Sequence, residues 1–234
     1  MKNNRNALLW LFVIFSLINI FAEAGQIINL IFATKPLLMI FLSLWFYLET
    51  KEKTSRFTRY ILGGFVFSFF GDTFLMFNEN GVGGEIFFLL GLGSFLITHL
   101  FYVAAFLEYR KLEVGFVGKN KWLFLPFALF LLMNTAFLWK GIPIDMKIPV
   151  VVYSSAIVAM TMSGLNLKTK ISKEIFQILF GGVLLFLISD TFIGINKFHT
   201  ELPFARILIM IPYLLGQYFI AKGGICMSKE DGKE

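Results

Sequence analysis

The 234-residue chain reads as an all-α membrane protein of eight transmembrane helices built as two parallel four-helix repeats. Three observations lead to that fold class. The chain is 57% hydrophobic and only 15% charged, with 30 Phe, more apolar surface than a soluble domain of this length needs. Its apolar residues fall into eight stretches of the ~20 residues that span a bilayer. Two of those stretches carry nearly the same sequence, GGFVFSFFGDTFLMFN (Gly63 to Asn78) and GGVLLFLISDTFIGIN (Gly181 to Asn196), 118 residues apart and identical at 6 of 16 positions.

The stretches follow in order. The first, 7–24, comes after Lys2 and Arg5 and ends at Ala22-Glu23-Ala24, a pattern that resembles a signal peptide. Cleavage would strip the first repeat of the counterpart of 122–139, so a retained helix is expected. The second, 27–48, holds Lys35-Pro36 inside an apolar run, and the third, 58–78, holds Asp72. The fourth, 86–107, carries His99 and Tyr102; three residues apart, they share a helix face. Stretches 122–139, 148–167, 174–196 and 203–222 repeat the scheme, with Tyr153, Asp190, Tyr213 and Gln217 as their polar members. Short connections leave no room for a soluble domain. The chain is expected to be one integral membrane domain, 1–234, with internal repeats 1–117 and 118–234.

The net charge of +6 is a matter of topology rather than of nucleic-acid binding. Lys2 and Arg5, then Lys51, Lys53, Arg56, Arg59, Arg110, Lys111, Lys119, Lys121, Lys168, Lys170 and Lys173, and finally Lys222, Lys229 and Lys233 fall on one side. The other side has only Lys140, Lys147, Lys197 and Arg206. That asymmetry places both termini in the cytoplasm of a multi-pass protein, here expected in a bacterial inner membrane. Cys226 is the single cysteine, so no intrachain disulfide can form. The oligomeric state is not written in the sequence.

An ionisable residue at the centre of a membrane helix costs about 2.5–3.5 kcal/mol on insertion scales, so two at matched positions call for a function. The offset that pairs Asp72 with Asp190 also sets Lys35 opposite Tyr153 and His99 opposite Gln217. Every strongly polar residue deep in the first half is thereby expected to meet a polar residue in the second. An even number of helices per repeat implies parallel repeats, with a site near their interface. At 1.5 Å per residue, Asp72 lies roughly 21 Å up its helix from the cytoplasmic side. The bland alternatives are a buried hydrogen-bonded aspartate pair, a Lys35 that snorkels to the headgroups, and tyrosines, His99 and Gln217 acting as interhelical hydrogen-bond partners. Lys35 would otherwise pair with an aspartate or a phosphate. The glycines at 63, 64, 91, 93, 181 and 182 suit close helix packing.

No Ser-His-Asp set, HExxH, cysteine metal site or Walker motif is present, so neither a metal nor an organic cofactor is called for. Two carboxylates that share a site separate into an acid and a base. Such a pair suits hydrolysis through an oxocarbenium-like state.

The stretches LIFATKPLLM (30–39), GGFVFSFFGDTFLMF (63–77), FFLLGLGSFLITHLFYV (87–103), PVVVYSSAIVAMTM (149–162), GGVLLFLISDTFIGINKF (181–198) and IPYLLGQYFIAKG (211–223) resemble the YhhN family of lysoplasmalogenase-like integral membrane proteins. The resemblance covers nearly the whole chain. It implies that Asp72 and Asp190 are catalytic, with Lys35, His99, Tyr102, Tyr153 and Gln217 binding substrate or supporting them; Tyr213, one turn before Gln217, is expected to join them from its place in the same helix. It further implies hydrolysis of the vinyl ether bond of a lysophospholipid drawn from the membrane, giving a fatty aldehyde and glycerophosphoethanolamine or glycerophosphocholine. The rival from another class is a membrane transporter of a lipid or small solute that uses the same polar layer. An intramembrane aspartyl protease is disfavoured, because Phe69 stands where its GxGD motif needs glycine.

Overall fold

The computed structural model describes the backbone of residues 2–230 and the side chains of residues 5–230. Lys233 and the side chain of Lys2, both counted in the charge asymmetry, lie outside that range. All regular structure among the described residues is helical, and eight helices are long and apolar enough to cross a membrane. They are α1 (Lys2–Ala24), α2 (Ile28–Thr50), α3 (Arg56–Glu79), α4 (Gly84–Glu108), α6 (Phe124–Leu138), α7 (Lys147–Leu165), α8 (Lys173–Phe198) and α9 (Ala205–Glu230). The ninth, α5 (Phe116–Lys119), is a single turn in the connection after α4.

The helices form two compact units. Among the described residues, the first runs to Ala105 and includes Gly224 to Glu230; the second is Phe106–Gly223. In the first unit, α1 reverses into α2 through Gln26, whose φ of 51° is left-handed. The Ile27 N–H closes the reversal by donating to the Ala22 carbonyl at 2.9 Å. The turn sets the last turn of α1 beside the first turns of α2, around a small core of Ala22, Ile31 and Met76. Helix α3 starts at a capping box in which Ser55 and Thr58 satisfy each other's backbone N–H groups. Glycines then let α4 close on α3. A Cβ at Gly71 would sit 2.7 Å from the Phe95 ring, and one at Gly64 would overlap the Tyr102 ring. Ser68 and Thr98, 3.2 Å apart, share a hydrogen bond across the same contact.

The second unit uses the same device more tightly. A Cβ on Gly182 of α8 would meet the Gly216 carbonyl of α9 at 2.8 Å, so two backbones touch there and only glycine fits. The connection after α4 is tied down by Lys170, whose Nζ donates to the carbonyls of Arg110 (2.9 Å) and Tyr109 (3.4 Å). Burial pushes this ammonium below its ordinary lysine range, while Glu113 pulls the other way. At the ends of α7, Lys147 lies over Trp139 (4.5 Å) and Lys168 over Phe116 (4.3 Å), cation–π pairs suited to a headgroup layer.

Candidate active site

Three helix ends of the first unit converge on one lysine. Lys35 lies two turns into α2, and its stem points back toward the start of that helix, as side chains on a helix do. Its Nζ reaches Glu23 Oε1 in the last turn of α1 and Glu79 Oε2 at the end of α3, each at 3.0 Å. The Lys35 and Glu23 side chains are 4% and 0% exposed, whereas that of Glu79 is 30% exposed. Asp72, buried on α3 seven residues before Glu79, also acts through space on the Lys35 ammonium. One turn below Glu23, the buried Asn19 donates through Nδ2 to Thr34 Oγ1 at 2.9 Å. Lys35 is a buried cation whose direct partners are two glutamates and not an aspartate.

In the second unit the corresponding place is filled by Tyr153 of α7. Its hydroxyl donates a short hydrogen bond to Asp190 Oδ2 of α8 at 2.6 Å. Asp190 is itself buried. The adjacent Ser189 hydroxyl donates to the Ile209 carbonyl at 2.9 Å, tying this turn of α8 to α9. Tyr213 packs edge-on against Phe186 at 5.5 Å, and Gln217, next to the glycine contact, is fully buried. His99 and Tyr102 are fully buried on α4 in the first unit, where the Tyr102 ring lies against Gly64 and Phe65.

Of the residues singled out from the sequence, the structure brings Tyr153 directly to Asp190 and sets Lys35 within electrostatic reach of Asp72. Tyr102 and Tyr213 are placed in ring packing. Sequence reading missed Glu23, Glu79 and Asn19. The expectation that every deep polar residue of the first half meets one in the second fails at Asn19 and Glu23, whose counterparts are Phe137 and Gly141. A signal was available: Ser16, Asn19 and Glu23 recur at helical spacing on one face of an otherwise apolar helix, and all three are buried. Among the described residues, no group of three His, Cys, Asp or Glu side chains could hold a metal ion.

Eight spanning helices with ionised groups sealed among them define a multi-pass integral membrane protein with a charged site inside its helical layer. The chain belongs to the YhhN family, whose family profile matches residues 30–224. It is 31% identical over 169 residues to lysoplasmalogenase TMEM86A of Homo sapiens, a match covering 70% of this chain and 65% of that protein. The Bos taurus TMEM86A is 30% identical with the same coverage. Lysoplasmalogenase TMEM86B of Sus scrofa is 28% identical over 180 residues, 77% of this chain and 70% of the relative. The chain thus matches about 65% of the length of the TMEM86A proteins. No solved structure matches it.

Proposed function

We propose that this protein hydrolyses the vinyl ether bond of lysoplasmalogens, with Asp72 and Asp190 as its acid–base carboxylates. The observation that carries the reading is that both aspartates are buried in apolar helices, Asp72 within electrostatic reach of Lys35 and Asp190 hydrogen-bonded by Tyr153. Relatives named lysoplasmalogenase support the reaction class.

The chemistry asks for little else. A carboxylic acid protonates the vinyl carbon remote from oxygen, which leaves an oxocarbenium ion. Water adds to the cationic carbon and loses its proton to a carboxylate. The resulting hemiacetal collapses to a fatty aldehyde and the glycerol hydroxyl. One aspartate delivers the first proton, and the other stabilises the cation and orients the water. Tyr153 fixes the direction of the Asp190 carboxylate. In the first unit, Phe32, Phe74, Phe77 and Phe87 make edge-on and tilted ring contacts at the end where Asp72, Lys35 and Glu79 lie, an apolar wall suited to an acyl chain. The protein sits in the bacterial inner membrane with both termini cytoplasmic, and its two repeats run parallel.

The test offers purified protein, in detergent and without any gradient, a panel of lysolipids and looks for released fatty aldehyde by mass spectrometry. Aldehyde from the vinyl ether lipid alone supports hydrolysis. Gradient-dependent lipid movement without aldehyde would instead identify a transporter.

A further inference from the structure

We infer that the Lys35–Glu79 ion pair is the docking site for a zwitterionic phospholipid headgroup, with the lipid phosphate going to Lys35 and its ammonium to Glu79. The inference rests on the lysolipid reading above and names the residues that take its headgroup.

The two partners of Lys35 are not equivalent. Glu23 is wholly buried and holds the lysine in place. Glu79 is the last residue of α3 with its side chain 30% exposed, so it can turn outward without unwinding the helix. An arriving zwitterion exchanges one ion pair for two, Lys35 with phosphate and Glu79 with ammonium. No buried charge is left without a partner, which is the condition for such an exchange to be favourable. A lipid ending in a bare phosphate meets the opposite situation. It would bring anionic charge against Glu23, Glu79 and Asp72 with no ammonium to offset it.

A second observation extends the site inward. Thr34 Oγ1 donates to the Leu30 carbonyl at 2.7 Å, so it must accept from the Asn19 amide, and this fixes which end of the amide is nitrogen. Asn19 Oδ1 is the other end; it is fully buried and has no hydrogen-bond partner. An acceptor in that state needs a donor. The free glycerol hydroxyl of a lysolipid is such a donor. Asn19 is ~6 Å deeper than Glu23 along α1, and Asp72 ~10 Å deeper than Glu79 along α3. Headgroup, glycerol and ether bond would thus be met in the order in which a lysolipid carries them.

The experiment uses full-length protein in nanodiscs and saturated alkyl-ether lysolipids, which bind without being hydrolysed, read by native mass spectrometry. Wild type should bind the phosphoethanolamine lipid about tenfold or more tighter than the bare-phosphate lipid, and Glu79→Gln should bring the two near parity. Capping the glycerol hydroxyl as a methyl ether should weaken binding to wild type. Equal binding of the two headgroups by wild type, or an unchanged ratio in a folded Glu79→Gln protein, would overturn the docking site. Indifference to the methyl ether would overturn the Asn19 contact. The wild-type comparisons need no variant to fold. Headgroup preference without aldehyde release sinks the hydrolase reading and keeps this one; aldehyde release without headgroup preference does the reverse.

Discussion

Replacing Lys35 with methionine keeps the length of the side chain and deletes its charge, which takes the ammonium away from Glu23. That carboxylate has no exposure of its own and loses a cation 3.0 Å away. Removing one partner of a buried ion pair costs about 3–5 kcal/mol, because the survivor stays buried without that countercharge. Glu79 loses the same contact but, at 30% exposure, it turns to solvent, and its share should be within the ~0–1 kcal/mol of a surface pair. Nearly all the loss therefore belongs to Glu23. It follows that Lys35→Met combined with Glu23→Gln should be more stable than Lys35→Met alone. Glu79→Gln should lose at most ~1 kcal/mol. The assay is reversible unfolding in mixed micelles of wild type, Lys35→Met, Glu23→Gln and the double variant, analysed as a double-mutant cycle, with Glu79→Gln measured alongside. A Lys35→Met protein within 1 kcal/mol of wild type, or losses at positions 23 and 35 that simply add, would refute the claim that this lysine is anchored from within.

Asp72→Asn and Asp190→Asn should each lower aldehyde release by a factor of at least ~10² while leaving the protein folded, since each removes a proton donor or acceptor at nearly constant volume; near-wild-type rates in folded protein would make both aspartates structural. Gly182→Val should destabilise by several kcal/mol, more than a typical ~1 kcal/mol substitution, because its Cβ falls on the Gly216 carbonyl, and thermal unfolding in detergent measures it. Reporter fusions at Asn80 and Lys170 should report opposite sides of the membrane, Asn80 outside and Lys170 inside, and a C-terminal fusion should read cytoplasmic.

The spans were legible because the membrane imposes one rule on every helix. Each of the eight apolar stretches falls on a helix, though α9 continues to Glu230 and α5 was not anticipated in the connection before α6. The repeated Asp-Thr-Phe sequence also pointed to Asp72 and Asp190, since a charge in an apolar run stands out. Glu23 and Glu79 did not stand out. They lie at helix ends, where a glutamate ordinarily meets water, and only the reversal at Gln26 and the lean of Lys35 turn them inward. Glu23 was further hidden by its place in an Ala-x-Ala pattern. Asn19 was overlooked because a single amide in a span is cheap beside a charge. Ion-pair partners depend on which helix ends meet, and apolar periodicity does not encode that.

In each unit the helix that precedes the aspartate-bearing helix packs beside it, α2 on α3 and α7 on α8, and the two carry different chemistry. Tyr153 gives Asp190 a neutral hydrogen-bond donor, and Lys35 gives Asp72 a nearby cation. That cation is drawn toward Glu23 and Glu79, whereas the positions 118 residues on from those glutamates are Gly141 and Lys197. A duplicated pair with identical surroundings would titrate alike and could not divide labour. Catalysis by two carboxylates needs environments that set them apart. On this argument the departures from the repeat matter as much as the repeat itself. Exchanging them should therefore be informative. Tyr153→Lys would place a cation against Asp190 with no glutamate to share it, making the two aspartates more alike. Turnover should fall and its pH profile should lose one limb, even though both carboxylates are retained. An unchanged pH profile in a folded Tyr153→Lys protein would show that the asymmetry of Lys35 and Tyr153 plays no part in the chemistry.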